Sequence, residues 1–222
     1  MNAWGRVFLL GALGLSYALA QDYTQEQHPE GAHGQAHHPA PAASAPAQPA
    51  AAASTGTRDP QAYFTDTQVI DQDGRRLRFY SDVLKDRVVL LNVIFTHCND
   101  ACPLITRKLK EVREALGEGM ADKVWFVSLS SDPLNDSPEV LKAFAAKHGV
   151  DGARWLFLTG DAQDMALILG RLGHLVPSPE QHSTLLIAGD VANKRWSKIR
   201  PDAPVNAIAQ RLQLLSMPLA GR

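Results

Sequence analysis

Apolar runs and amphipathic segments alternate along residues 88–215 of the chain. Residues 88–95 form a nearly continuous apolar and β-branched run, which predicts a strand that is buried on both faces. The next segment ends at Gly117 and has the apolar spacing of an amphipathic helix, with Leu104, Ile105, Leu109, Val112 and Leu116. The same patterns predict strands over 123–130, 155–158 and 184–188, and helices over 137–148, 161–174 and 205–215.

Two hairpins are predicted, one at each end of this pattern. Short strands over 68–70 and 76–79 flank the turn sequence Asp71-Gln72-Asp73-Gly74, which predicts an N-terminal hairpin. The last predicted strand is expected to turn at Gly189-Asp190 and to pair with a strand over 195–198. Alternating strands and helices with a late antiparallel pair predict an α/β domain of three layers around a central mixed sheet.

The first 20 residues have the layout of a secretory signal peptide. A single basic residue, Arg6, precedes an apolar stretch of about 13 residues, shorter than the roughly 20 that a membrane-spanning helix needs. The small residues Ala18 and Ala20 stand before a polar run, which favours cleavage and export, to the periplasm in a bacterium. The alternative is a retained segment that acts as a membrane anchor.

Residues 21–57 are rich in Ala, Pro, Gln, Gly and His and have few large apolar residues. Because such a composition cannot bury enough surface to offset its ordering entropy, we expect a disordered tether before a globular domain over 58–222. Four histidines lie in this tether and either collect metal weakly or serve as polar spacers: His28, His33, His37 and His38.

The charge balance gives no reason to expect nucleic acid or an anionic membrane surface as a partner. The chain has 22 basic and 23 acidic side chains. Removal of 1–20 takes away only Arg6 and leaves a formal charge of −2. Membrane contact is therefore expected only through a retained signal segment or through the partner.

The only two cysteines, Cys98 and Cys102, stand where the first buried strand ends and a helix begins. A structural disulfide is one interpretation, but it would close a very short loop and add little stability. The helix start instead favours thiolates at both positions, and the spacing places both sulfurs on one helix face. Two thiolates suit Cu(I) or zinc as ligands, and thiolates also carry out disulfide exchange.

Two sulfurs seldom complete a metal site, so a third ligand is expected. The candidate is His182, which stands just before the predicted strand over 184–188. Periodicity alone predicts that His182 is an ordinary surface-loop residue. Loops at strand ends gather at one edge of an α/β sheet, however, so His182 can face the cysteine turn if the two strand ends are adjacent. His97 is a rival, but its place beside a buried strand favours packing or hydrogen bonding. His148 and His174 fall at predicted helix ends, where a positive charge suits the helix dipole.

An ordered set of motifs over about 64–215 resembles the Sco/SenC family: Phe95-Thr96-x-Cys98-x-Asp100-x-Cys102-Pro103, Val127-Ser128-Leu129-Ser130-Ser131-Asp132-Pro133, Asp136-Ser137-Pro138, Leu156-x-Leu158-Thr159-Gly160 and His182-Ser183-Thr184. The resemblance implies a thioredoxin-like fold and copper held by two cysteines and one histidine. It also implies delivery of copper to the binuclear copper centre of cytochrome c oxidase, and a thiol-disulfide role toward that centre's cysteines.

Carried over to this sequence, the resemblance makes Cys98, Cys102 and His182 the ligands of Cu(I), and of Cu(II) where that state is held. Asp132 matches an aspartate near the family's site and either supports it or forms the turn before a proline. The recipient implied is the copper-bearing subunit of cytochrome c oxidase or another exported copper protein. Asn99 stands where the family commonly has proline.

Three other functions stay open beside the copper-binding assembly factor. A thiol-disulfide oxidoreductase would use the same cysteines, but enzymes of that fold generally carry Cys-x-x-Cys and a cis-proline, whereas this chain has three residues between its cysteines. A peroxidase of related fold would need one strongly activated cysteine, typically with an arginine nearby, and the sequence shows no such pairing. A non-catalytic module held by a disulfide is the plainest alternative.

Overall fold

The computed structural model describes residues 59–175 and 177–218. The predicted signal peptide over 1–20 and the predicted tether over 21–57, with its four histidines, lie outside the described residues. Among the helices that are described, none is long and apolar enough to cross a lipid bilayer.

The strands of the domain form one seven-stranded sheet. They are β1 (Gln68–Asp71), β2 (Arg76–Arg78), β3 (Val88–Ile94), β4 (Val124–Ser130), β5 (Trp155–Thr159), β6 (Leu186–Asp190) and β7 (Arg195–Ile199). Their order in the sheet is β2-β1-β5-β4-β3-β6-β7. Strands β3, β4 and β5 run parallel, and the remaining pairs are antiparallel, so the sheet is mixed as predicted.

Six α-helices accompany the sheet in the described residues: α1 (Pro60–Phe64), α2 (Ala101–Leu116), α3 (Glu118–Ala121), α4 (Pro138–Lys147), α5 (Ala162–Leu172) and α6 (Val205–Ser216). A π-helical segment spans Phe79–Leu84, and one 3₁₀ turn spans Pro179–Gln181. The sequence patterns predicted α2, α4, α5 and α6 but missed the shorter helical segments.

Helices cover both faces of the sheet because the central strands are apolar on both faces. One core packs α2, α4 and α6 against the sheet with buried residues such as Leu109, Leu141 and Leu212. The other packs α1, the π-helical segment and α5, with Phe64, Phe79 and Ile168. The three-layer α/β architecture and the N-terminal hairpin β1–β2 are therefore confirmed.

The turn of the second hairpin was predicted too early. Gly189 and Asp190 belong to strand β6, where they pair with Trp196 and Arg195 of β7, and the chain reverses over residues 191–194. A Cβ at position 189 would overlap the ring of Trp196. Gly189 is therefore required by a close side-chain approach within the hairpin and not by the turn.

Strand register brings three loops to one edge of the sheet. Ile94 at the end of β3 pairs with Ser130 at the end of β4, so the loops that follow both strands start side by side. Strand β6 runs antiparallel to β3, and its pairing of Ile187 with Leu91 places the entry to β6 near the same end. The segments that carry the cysteines, Asp132 and His182 all reach this edge.

Candidate metal and thiol site

Cys98 lies in the loop that joins β3 to α2. Its N–H donates to the carbonyl of Phe95 at 3.2 Å, which closes a tight turn directly after the strand. The helix begins only at Ala101, so Cys98 precedes it, whereas Cys102 is its second residue. The prediction that both cysteines share one helix face is therefore wrong in detail.

A backbone contact nevertheless brings the two cysteines together. The N–H of Cys102 donates to Sγ of Cys98 at 3.3 Å. This N–H belongs to the first turn of α2, where backbone donors have no partner inside the helix, so the sulfur satisfies one of them as a capping side chain would. Both cysteines are free thiols in the structure.

The environments of the two thiols differ in a way that the sequence did not predict. Burial opposes ionisation of Cys98, but hydrogen bonds from the backbone of Cys102, Asp100 and Ala101 outweigh it and lower the pKa of Cys98. Burial raises the pKa of Cys102 to about 12, and the nearby Cys98 and Asp136 side chains act in the same direction. The surroundings at the start of the helix therefore favour the thiolate at Cys98 and oppose it at Cys102, whereas the sequence predicted that both would be favoured.

His182 reaches the cysteines from the loop before β6. Its Nε2 lies 3.6 Å from Sγ of Cys102, and its ring packs edge-on against Phe95 with 5.7 Å between centroids. The side chain is 7% exposed, which differs from the surface-loop position that periodicity alone favoured. Nδ1 lies 3.1 Å from the carbonyl oxygen of Ser183; a proton on Nδ1 leaves the lone pair of Nε2 facing Cys102.

The donor set suits copper. Two sulfurs and an imidazole nitrogen are the soft and intermediate ligands that Cu(I) accepts at low coordination number, and an imidazole with a carbonyl behind it is the usual form of a histidine ligand. Among the described residues, no group of three or more His, Cys, Asp or Glu side chains is already arranged to hold a metal ion. Cys98 and His182 each contact Cys102, so these three side chains are the ones that could hold a metal ion at this edge of the sheet.

Asp132 lies in the loop after β4, where its carboxylate accepts hydrogen bonds from Nδ2 of Asn135 at 2.8 and 3.0 Å. Its backbone carbonyl accepts from the N–H of Asn135 and of Asp136. These are the contacts of a turn, which was one of the two roles considered for Asp132. A supporting role toward copper stays a prediction.

Sequence reasoning missed Asp136, which is fully buried beside the cysteine loop. Its carboxylate accepts from the backbone N–H of Thr96 at 3.1 Å, from Oγ1 of Thr96 at 2.5 Å and from Oγ of Ser130 at 2.6 Å. These bonds tie the start of the cysteine loop to the end of β4. The helix predicted from position 137 is α4, which begins at Pro138 with Ser137 as its cap.

Two histidines lie in surroundings that the sequence did not indicate. His97 is exposed, so the packing role expected beside a buried strand is wrong. His174 is only 3% exposed, and burial lowers its pKa. A positively charged tip at the end of α5 is therefore not its role.

Comparisons with known proteins agree with this arrangement. The family model described as SCO1/SenC matches residues 55–187, more than half of the chain. A SCO1 protein homolog of Bacillus subtilis (strain 168) is 39% identical over 93 residues, which are 42% of this chain and 47% of that protein. The chain spans about half the length of the curated relatives it matches.

Solved structures extend the likeness over more of the chain. Bradyrhizobium japonicum ScoI with copper bound superposes with a TM-score of 0.56 at 27% identity, over 67% of this chain and 96% of that one. BsSco, described as a Sco-family cytochrome c oxidase assembly protein with a disulfide switch, gives a TM-score of 0.58 at 27% identity, over 69% and 92%. The domain therefore has the thioredoxin-like α/β fold of these proteins. The chain belongs to the SCO1/SenC family.

Proposed function

We propose that this chain is a copper-binding assembly factor, which holds copper through Cys98, Cys102 and His182 and delivers it to the binuclear copper centre of cytochrome c oxidase. The observation that carries the proposal is the approach of Nε2 of His182 to Sγ of Cys102, in contact range at 3.6 Å. A buried imidazole whose Nε2 contacts one thiol of the pair is placed to add a nitrogen ligand to the two sulfurs.

The unequal exposure of the two sulfurs supports delivery by ligand exchange. Cys102 and His182 are buried, whereas Cys98 is partly exposed. A thiolate of the recipient would therefore replace Cys98 first, and copper, as cargo, would pass through intermediates shared by both proteins. The partial exposure of the site edge leaves room for copper in the Cu(II) state, with water or a recipient side chain completing its coordination.

The recipient in this proposal is the copper-bearing subunit of cytochrome c oxidase or another exported copper protein. BsSco is described as a member of a family of cytochrome c oxidase assembly proteins, and copper is bound by the ScoI relative. The proposal includes export to the periplasm, with cleavage after about residue 20 or retention of 1–20 as an anchor, because the chain and an exported recipient must share one compartment.

A second candidate function is thiol-disulfide exchange, which the contrast between the thiols favours. Cys98, with its lowered pKa, would attack one sulfur of a partner disulfide and release the other as a thiolate. Cys102 would then attack Sγ of Cys98, lose its proton and release the second partner thiolate. Two electrons pass to the partner, and this chain is left with a Cys98–Cys102 disulfide.

A titration of the reduced protein with Cu(I) under a competing chelator tests the first proposal. We expect one copper per domain, loss of binding in Cys98→Ser and Cys102→Ser, and weakened binding in His182→Ala. His148→Ala is the matched control, because the ring of His148 packs on Phe144 at the end of α4. Rapid reduction of a small disulfide substrate by protein that holds no copper would instead favour the second candidate.

A further inference from the structure

Asp136 lies beside the point where the cysteine loop leaves the sheet. Strand β3 and its pairing with β4 end at Ile94, so residues 95–99 lie beyond the paired strands. Among the described residues, Asp136 is the one side chain outside this loop and α2 that hydrogen-bonds to residues 95–99. The carboxylate is therefore placed to determine how the loop begins.

The loop opens with a β-turn over residues 95–98, in which the N–H of Cys98 donates to the carbonyl of Phe95 at 3.2 Å. The N–H of Thr96 belongs to the same peptide group as this carbonyl, and it donates to the carboxylate of Asp136 at 3.1 Å. Because a peptide group is planar and rigid, an acceptor that holds its N–H also holds the direction of its C=O. Asp136 therefore orients the carbonyl to which the N–H of Cys98 donates.

Two further contacts of Asp136 fix the carboxylate itself. Oγ1 of Thr96 donates to the oxygen that also accepts from the N–H of Thr96, at 2.5 Å. The other oxygen accepts from Oγ of Ser130 at 2.6 Å, and that Oγ accepts from the N–H of Asp132 at 3.0 Å. Asp136 is thus hydrogen-bonded to the end of β4 through one oxygen and to the cysteine turn through the other.

The turn determines where the sulfur of Cys98 lies. This Sγ accepts from the N–H of Cys102 at 3.3 Å, and Sγ of Cys102 lies 3.6 Å from Nε2 of His182. Cys102 belongs to α2, whereas Cys98 precedes the helix. A displaced turn would therefore move one sulfur of the site while the other stays in place.

We propose that Asp136 is a positioning residue of the copper site: its carboxylate orients the peptide group between Phe95 and Thr96, and thereby the turn that presents Cys98. This inference rests on the proposed function, since it concerns a ligand of the proposed copper site. In this proposal Asp136 itself does not bind copper.

Anchoring of the sheet alone gives a poorer account of Asp136. Strands β3 and β4 are already paired up to Ile94 and Ser130, so the strands themselves do not explain a fully buried carboxylate. Burial of a carboxylate is costly unless its oxygens are hydrogen-bonded. One of its two oxygens is bonded only to Thr96, which lies beyond the paired strands.

Three variants at position 136 separate geometry from charge. In Asp136→Asn, the side-chain oxygen can still accept from Thr96 and the amide can donate to Ser130, so the geometry is kept while the charge is lost. Asp136→Glu keeps the charge but moves the carboxylate by one methylene, and Asp136→Ala removes the acceptor. Leu84→Ala is the control for lost stability, because Leu84 is fully buried and precedes β3, at the opposite end of that strand from the cysteine loop.

Three properties of each full-length variant are measured beside the parent and His182→Ala. The Cu(I) affinity of the reduced protein is measured under a competing chelator. Hydrogen exchange of the Cys98 amide is measured by NMR on the metal-free protein, with the amides of β3 as the internal reference for unfolding of the whole domain. The urea midpoint of unfolding reports stability.

We expect Asp136→Ala and Asp136→Glu to bind Cu(I) about 10- to 100-fold more weakly than the parent, as is typical when a group that orients a metal ligand is lost. In both variants the Cys98 amide should exchange faster relative to the amides of β3, because the Phe95 carbonyl is no longer held. Asp136→Asn should lie nearer to the parent in both measurements. Leu84→Ala should keep the affinity of the parent at a lowered unfolding midpoint.

The inference is overturned if Asp136→Ala binds copper like the parent, or if Asp136→Asn is as weak as Asp136→Ala. It is also overturned if Leu84→Ala loses as much affinity at the same unfolding midpoint, because the loss would then follow stability. If Asp136→Ala does not fold, equal affinities of Asp136→Asn and Asp136→Glu overturn it. Equal affinities of the parent and His182→Ala would instead contradict the proposed ligand set, while exchange of the Cys98 amide would still test the turn.

Discussion

Sγ of Cys102 and Nε2 of His182 lie 3.6 Å apart although 80 positions separate the residues in the chain. The antiparallel pairing of β6 with β3 produces this contact, because it brings the entry of one strand to the exit of the other. The site is therefore formed by loops that meet at one edge of the sheet.

The two thiols should react at very different rates in the metal-free reduced protein. Thiolate is the reactive form, so a lowered pKa gives Cys98 more thiolate at pH 7, whereas a pKa of about 12 leaves Cys102 almost none. We expect iodoacetamide to modify Cys98 first, with a pH midpoint below that of the same thiol in the unfolded chain. Mass spectrometry of the digested protein measures both rates, and the urea-unfolded chain, in which the rates should converge, is the control. Equal rates in the folded protein would contradict the assignment.

Asp136 should contribute strongly to stability because its buried carboxylate accepts from Thr96 and Ser130. Asp136→Ala leaves these donors without a partner, and we expect a loss of about 3 kcal/mol or more in the free energy of unfolding. Asp132→Ala, which removes exposed contacts with Asn135, should cost less than about 1 kcal/mol. Urea unfolding followed by circular dichroism measures both. Similar small losses in the two variants would show that Asp136 does not tie the cysteine loop to β4.

Gly189 should not tolerate a side chain. A Cβ there would overlap the ring of Trp196, and we expect Gly189→Ala to lower the free energy of unfolding by about 1–3 kcal/mol through overpacking. At Gly119, in helix α3, an added Cβ would meet nothing within 4 Å, so Gly119→Ala should be neutral or stabilising by up to about 1 kcal/mol. Thermal unfolding compares the two. A neutral Gly189→Ala would mean that the Trp196 ring can move aside at little cost.

The regular elements were predictable where a single physical signal dominated. The apolar run of β3 and the amphipathic spacing of α2 both reflect burial, which acts on each residue locally. The turn at Gly189-Asp190 was predicted wrongly because Gly189 leaves space for the ring of Trp196 and does not form the turn. This contact exists only in the folded hairpin.

Less of the candidate site could be read from local patterns. The cysteine pair was visible in the sequence, but periodicity placed His182 in a surface loop. Its link to the cysteines rested on the expected meeting of loops at the sheet edge and on the family resemblance. The buried position of Asp136 depends on hydrogen bonds with a distant segment, through Thr96. Nothing in the spacing of its neighbours in the sequence indicates these contacts.

X-ray absorption spectroscopy of the Cu(I)-loaded protein tests most directly whether Cys98, Cys102 and His182 hold copper together. We predict two sulfur ligands and one imidazole nitrogen in the parent, and loss of the imidazole contribution in His182→Ala but not in His148→Ala. A spectrum of the parent without an imidazole, or one whose imidazole persists in His182→Ala, would contradict the account.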